Sequence, residues 1–225
     1  RRAGYRIDVC VPSGNFGNIY AGFLARSMGV PIRRLILATN ENNVLEEFFT
    51  TGIYRPRSAE DTLATSSPSM DISKASNLER FIWALLGPEV FVQRWAELET
   101  TGTLDLRDQL PRLREEFGFV AGTSTHADRL EAIRSVKERS GRLIDPHTAD
   151  GVTVALRVME PGFPTLVMET AKAAKFPQTV AEALGSEPET PDVVADLLAR
   201  PQKVETIDNE EAPLRALIEE RALTR

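Results

Sequence analysis

Residues 5–11 alternate and then become continuously apolar, the run stops at Pro12-Ser13-Gly14, and a stretch rich in Ala, Leu and Gly follows at 19–28. A short run that becomes continuously apolar reads as a strand buried on both faces. The pattern then repeats. Arg33-Arg34 leads into a second apolar run at 35–38, and a helix is predicted over 41–49, with Thr39 or Asn40 as its N-cap and acidic side chains in its first turn. Two strand–turn–helix units in roughly fifty residues predict an α/β fold, a parallel doubly wound sheet in a three-layer αβα arrangement.

The rest of the chain divides by pattern. Residues 1–54 form this α/β region, and 55–140 read as a loop plus a mostly helical insertion. The segment 55–76 is rich in Ser, Thr and Pro. Helical spacing appears at 78–86 and 91–98, split by Gly87-Pro88, and again at Leu106, Leu110, Leu113 and Phe117 in spite of Pro111. A capping-box pattern at Thr125 and Asp128 precedes the helical spacing of Leu130, Ile133 and Val136. Residues 141–185 return to α/β, with strands expected at 143–144 and 165–168 and helices at 148–159 and 176–184, the last ended by Gly185. Residues 186–225 are an acidic, proline-punctuated tail with helical stretches at 192–198 and 213–223.

Composition narrows the function. A net charge of −6 over 225 residues argues against a nucleic-acid partner, which needs a concentrated basic face. The pairs Arg1-Arg2 and Arg33-Arg34 are too short to supply one and are expected to be solvated surface charge. The single cysteine, Cys10, excludes an internal disulfide framework and points to a reducing cytoplasm; its apolar neighbours predict a buried structural thiol. No apolar stretch approaches the ~18 residues of a membrane span, and no signal peptide is evident. With two histidines, His126 and His147, no metal-ligand cluster is expected. The absence of an initiator Met, with a strand-like segment at the very start, suggests a chain cut from something longer.

Three segments can carry chemistry. Ser13-Gly14-Asn15-Phe16-Gly17-Asn18 joins a buried strand to a helix, and its glycines allow close backbone approach to a ligand. Such a turn aims N–H groups and the positive helix end at one point, which suits a phosphate dianion. The spacing is neither the dinucleotide fingerprint nor a nucleotide P-loop, and a plain structural turn accounts for it equally. Thr170, in Glu169-Thr170-Ala171, sits at the carboxyl end of a strand, where open α/β sheets collect ligands. Its hydroxyl is either a hydrogen-bond partner for a cofactor ring nitrogen or a helix N-cap. In Asp145-Pro146-His147-Thr148-Ala149-Asp150-Gly151, His147 or Thr148 can cap the next helix, and His147 as a general base is the alternative.

Taken in this order, the segments resemble the threonine synthases, enzymes of the tryptophan-synthase-β-like class (fold type II) that use pyridoxal 5'-phosphate (PLP). The resemblance rests on Val11-Pro12-Ser13-Gly14-Asn15-Phe16-Gly17-Asn18, Ala38-Thr39-Asn40-Glu41-Asn42, Thr65 through Ile72 (similar to the family's Ser-Pro-Ser-Met-Asp-Ile segment), Asp145 through Gly151, and Glu169 through Phe176. It spans nearly the whole chain and is similar to the C-terminal half of the bacterial and fungal-type branch. It implies conversion of O-phospho-L-homoserine and water to L-threonine and phosphate, by elimination of phosphate and then hydration, with PLP as electron sink. It further implies that Gly14, Asn15, Phe16, Gly17 and Asn18 cradle the cofactor phosphate and that Thr170 hydrogen-bonds the pyridine nitrogen. One departure stands out. Many members read Thr-Ala-His-Pro-Ala-Lys-Phe, and Lys172-Ala173 stand here in place of His-Pro.

The family's Schiff-base lysine lies in a Ser-Phe-Lys-Asp-like segment upstream of the glycine turn. The five lysines here, Lys74, Lys137, Lys172, Lys175 and Lys203, all follow the turn and none lies in that motif. No catalytic residue is therefore assigned within the chain, and the chain alone is expected to be inactive. The partner implied is a small-molecule substrate, with no nucleic acid and no membrane; oligomeric state is not legible. The alternatives are a serine or threonine dehydratase-like enzyme of the same fold, and a non-catalytic phosphate-binding module.

Overall fold

The computed structural model describes residues 6–222, apart from the side chains of 194, 195 and 198. Arg1 and Arg2 lie outside the described residues. Two compact units are present, residues 1–189 and 190–225.

In the first unit, strand β1 (Ile7–Pro12), helix α1 (Gly17–Ser27), strand β2 (Ile32–Thr39) and helix α2 (Val44–Thr51) follow one another. A short pair comes next, β3 (Ile53–Tyr54) with the later β4 (Leu104–Asp105), around helices α3 (Leu78–Leu86) and α4 (Pro88–Thr101). Strand β5 (Phe119–Thr123), helices α5 (His126–Ser140) and α6 (Pro146–Val158), strand β6 (Thr165–Val167) and helix α7 (Pro177–Leu184) complete it. The second unit holds α8 (Asp192–Ala199) and α9 (Glu211–Ala222). Among the described residues no helix is long and apolar enough to cross a membrane.

The main sheet has four strands in the order β5-β2-β1-β6, every pairing parallel. Side chains alternate across a strand, so the continuous apolar runs of β1 and β2 fill two cores at once. Val9, Val11, Leu35 and Leu37 face one side, packing with Phe16, Phe23, Phe48 and Phe81. Cys10, Ile36 and Ala38 face the other, against Val154 and Ala155 of α6. This is the three-layer α/β architecture expected. Burial pushes the Cys10 thiol up to about 12, and it donates to the Gly151 carbonyl at 3.2 Å. The thiol is structural.

Several details differ from the sequence reading. Strand β5 pairs with β2 over residues 119–123 inside a region read as loop and helix. Only a five-residue run marks it, and the glycine at 122 masks the pattern. Residues 143–144 form no strand; Leu143 and Ile144 pack against the α5–α6–α7 cluster instead. The helical spacing at Leu106, Leu110, Leu113 and Phe117 is kept but irregular: residues 107–116 run without a break from a 3-10 turn (Arg107–Gln109) through helical Leu110 and Pro111 into a π turn (Arg112–Glu116). Helix α2 begins at Val44 with Asn43 as N-cap, because Thr39 remains in β2 and Asn40 is engaged elsewhere. Arg33 and Arg34 are not solvated: both pair with the fully buried Asp8, at 2.6 and 2.7 Å, and both reach Glu160. Burial raises the Asp8 pKa, but the two guanidiniums outweigh it and hold the carboxyl below its ordinary value.

Candidate functional site

A cavity of about 340 Å³ opens at the carboxyl end of β1. Pro12 and residues 13–18 of the glycine turn form one side of it, Ser69, Met70 and Asn77 another, and His147, Thr170, Ala171 and Lys175 the remainder. The structure thus brings together all six residues picked from the sequence, although Thr170 is more than 150 positions from the turn. The cavity lies where an open parallel sheet leaves room, beyond the strand ends and between the helices that follow them.

The turn is built around Phe16. It is the N-cap of α1 and the only non-glycine among the described residues with a left-handed backbone, φ 65° and ψ 0°. Its ring is buried and stacks on Phe49, with centroids 5.6 Å apart, and packs on Phe81 at 5.7 Å. Such a conformation costs of order 1–3 kcal/mol and persists when packing overdetermines it. The side chain therefore anchors the core, and only the backbone of Phe16 faces the cavity side of the turn. No side chain caps α1. Among the described residues, the amides of residues 14–18 donate to no protein group, whereas the Ser13 N–H donates to the Ala38 carbonyl at 2.9 Å and the Tyr20 N–H to the Phe16 carbonyl at 3.0 Å.

Close packing fixes the rest of the turn. A Cβ on Gly14 would lie 2.8 Å from Met70 Cα, so the chain at 69–70 approaches the turn as only glycine permits. The Asn15 side chain is already committed: its Oδ1 accepts from the Ser76 N–H at 2.7 Å and the Ser76 hydroxyl at 2.8 Å. Asn15 thereby ties the start of α3 to the turn.

Asp71 holds the opposite wall. Its Oδ1 accepts from Asn40 Nδ2 at 2.8 Å, Asn42 Nδ2 at 2.9 Å and the Thr65 hydroxyl at 2.7 Å, while Oδ2 accepts from the Thr65 N–H at 2.8 Å. The Asn-Glu-Asn turn after β2 thus clamps residues 65–71. Sequence spacing missed Ser69, Met70 and Asn77 as cavity residues, because nothing local marks a loop that long-range bonds position.

Helix α6 starts the third wall. Its N-cap is Asp145, not His147 or Thr148: the carboxylate accepts from the His147 N–H at 2.9 Å and the Thr148 N–H at 3.4 Å, and also from the Thr148 hydroxyl. Burial alone would raise the Asp145 pKa; the bonds from His147 and Thr148 win and hold it below the ordinary carboxylate value. His147 is buried, with Nδ1 2.8 Å from Asp145 Oδ1, and Nε2 accepts from the Ser69 N–H at 3.0 Å. Thr170 caps no helix. Its N–H donates to the Thr148 hydroxyl at 3.3 Å, and its own hydroxyl has no protein partner among the described residues.

His126 stands apart from the cavity. It follows Thr125, the N-cap of the capping box expected there, and its ring bridges Ser66 at 2.8 Å and Glu182 at 2.9 Å. Fully buried Arg129 lies beside it, donating to Ser66 Oγ at 2.8 Å, to both Glu41 oxygens at 2.9 Å and to Asp150 Oδ1 at 3.0 Å. Burial pushes the Asp150 carboxyl up to about 6 despite that guanidinium. Among the described residues no cluster of His, Cys, Asp or Glu could hold a metal ion.

Comparison with known proteins agrees with this architecture. The family model described as "Threonine synthase, C-terminal" matches residues 148–218. Threonine synthase from Methylobacillus glycogenes is 48% identical over 218 residues, covering 96% of this chain and 46% of that protein. The enzyme from Corynebacterium glutamicum is 50% identical over 212 residues, covering 91% and 44%. Among solved structures, PLP-bound threonine synthase from Brucella melitensis superposes with a TM-score of 0.85 at 35% identity, covering 97% of this chain and 46% of that one. Yeast threonine synthase gives 0.84 at 29% identity, covering 98% and 48%. The chain spans about half the length of the relatives it matches. With a parallel sheet, a glycine turn at its carboxyl edge and this degree of identity, the chain belongs to the threonine synthase family.

Proposed function

We propose that this chain carries the cofactor-holding part of a PLP-dependent threonine synthase acting on O-phospho-L-homoserine and water. The observation that supports it most is the convergence, in one cavity, of five unbonded turn amides with the unpartnered Thr170 hydroxyl.

The residues present fit the cofactor. The amides of Gly14, Asn15, Phe16, Gly17 and Asn18 are donors awaiting an acceptor, and the positive end of α1 adds a favourable charge–dipole contribution of about 0.3–1 kcal/mol per contact, up to roughly 2 if partly buried. Thr170 would meet the pyridine nitrogen. A neutral hydroxyl there, in place of a carboxylate, leaves that nitrogen largely unprotonated. PLP, when bound, supplies the electron sink for elimination of phosphate. The chain's own groups hold and orient: the turn binds the phosphate, Thr170 fixes the ring, and the clamped wall at 69–70 shapes the space beside them.

The lysine that attaches the cofactor covalently lies outside this chain, so the chain by itself is inactive. No catalytic residue is assigned within it. The partner is a small molecule, not a nucleic acid or a membrane, and the lone buried Cys10 suits a cytoplasmic setting.

The test is to assay the complete protein for phosphate release from O-phospho-L-homoserine and, separately, for keto-acid release from threonine or serine. Phosphate release with threonine as product is expected. Keto-acid release without it would assign the protein to the dehydratase class, and neither activity would leave a phosphate-binding module.

A further inference from the structure

The cavity has donors and a helix end of positive potential, yet no acidic residue lines it. Two titratable side chains do, His147 and Lys175. His147 adds no positive charge in this geometry. Its Nε2 accepts from the Ser69 N–H, so that nitrogen carries a lone pair, and the ring's one proton sits on Nδ1 toward Asp145.

Lys175 is therefore the cation of the site. It ends a 3-10 turn at Ala173–Lys175 whose Ala173 is buried, and Pro177 opens α7 immediately beyond, so its backbone is held on both sides. Its ammonium lies 6.0 Å from the Phe176 ring, which in turn packs edge-on against His147 at 4.7 Å. Among the described residues it has no hydrogen bond or carboxylate partner. Lys172, three positions earlier, is different: it pairs with Glu169 at 2.8 Å and does not line the cavity. A lysine kept free of carboxylates, beside unbonded amides, is a charge left for an anionic ligand.

We propose that Lys175 is the cationic ligand of a phosphate monoester in this cavity, acting by charge and forming no covalent bond. The proposal rests on the reading of the cavity as a phosphate site and adds the residue that neutralises the dianion. The phosphate can be the cofactor's or the substrate's, and the experiment separates them.

Inorganic phosphate, pyridoxal and PLP are titrated calorimetrically into this chain as wild type, Lys175→Met and Lys175→Arg, at two salt concentrations. O-phospho-L-homoserine is then titrated into each protein saturated with PLP. Lys175→Met should weaken at least one phosphate-bearing ligand about tenfold and reduce the salt dependence of its binding. Pyridoxal, which lacks the phosphate, should be unaffected, and Lys175→Arg should stay within about threefold of wild type, since the positive charge is kept. Loss on PLP identifies the cofactor phosphate; loss confined to O-phospho-L-homoserine identifies the substrate's.

Equal binding of every phosphate ligand by wild type and Lys175→Met would overturn the proposal while leaving the cavity's assignment intact. So would borohydride reduction that leaves cofactor mass on Lys175, since the residue would then be an imine former and not a counter-ion. A wild-type chain that takes up none of the phosphate ligands would overturn the phosphate-site reading and this proposal with it.

Discussion

His147 Nε2 accepts the Ser69 N–H at 3.0 Å, across 78 positions of sequence, and this bond joins the start of α6 to the cavity wall at 69–70. Asp145 completes the arrangement by capping α6 and engaging Nδ1 of the same ring at 2.8 Å. One carboxylate thus caps a helix and sets a histidine tautomer, and the tautomer provides the acceptor that holds a distant loop.

The bond makes a prediction for exchange. Nitrogen-15 NMR should find the His147 lone pair on Nε2 and a proton on Nδ1. In His147→Ala the Ser69 amide should exchange at least about tenfold faster, a buried acceptor being worth roughly 1–3 kcal/mol. Unchanged exchange at Ser69 would show that the loop is held without the ring.

Gly14→Ala should destabilise the chain by about 1–3 kcal/mol in chemical denaturation. The added Cβ would sit 2.8 Å from Met70 Cα and 3.2 Å from the Ser69 carbonyl, and backbone atoms move less readily than the end of a side chain. Wild-type stability in that variant would mean the 69–70 wall is free to retreat.

Phe16 sets two effects against each other. Removing its buried ring should cost about 3–5 kcal/mol, whereas relief of the left-handed backbone returns only about 1. Phe16→Ala and Phe16→Gly should both be strongly destabilised, with Gly the more stable of the two. In a helix interior the order reverses. Equal or greater stability of Phe16→Ala would show that the turn carries no strain.

Asp150 gives a prediction in pH. Its folded pKa, about 6, exceeds the ordinary 3.8, so the folded state binds the proton more tightly and this residue's contribution to stability falls as pH rises through about 6. Asp145 and Asp8, whose values are lowered, act oppositely and lose their contribution as pH falls. The stability of Asp150→Asn relative to wild type should improve by about 1 kcal/mol from about pH 5 to about pH 7. A pH-independent difference would mean that Arg129 keeps Asp150 ionised throughout.

The parallel sheet was legible because β1 and β2 are buried on both faces, and burial of that kind leaves an unbroken apolar run that period and length identify as strand. The glycine turn was legible because a tight approach and a left-handed position leave their residue types in place, although it is Phe16 and not a glycine that adopts positive φ. The capping box at Thr125 could be read for the same reason: its partners are three residues apart. Strand β5 escaped detection, since Gly122 interrupts a run of five and pairing with β2 supplies what local preference lacks. Arg33 and Arg34 looked like surface charge because nothing in the sequence says that Asp8, 25 positions away, is buried beneath them.

By itself the sequence determined local matters: which runs become buried strands, where the chain must turn, and which turn can bare its amides to an anion. Only the tertiary structure decided that Thr170, Ser69, His147 and Lys175 meet that turn in one cavity, and that Asp71 and Asp145 hold the walls. The physical reason is range. Backbone preference and hydrophobic period act over a few neighbouring residues, whereas the bonds that assemble this site span tens to more than a hundred positions and exist only once the sheet has brought its strand ends together.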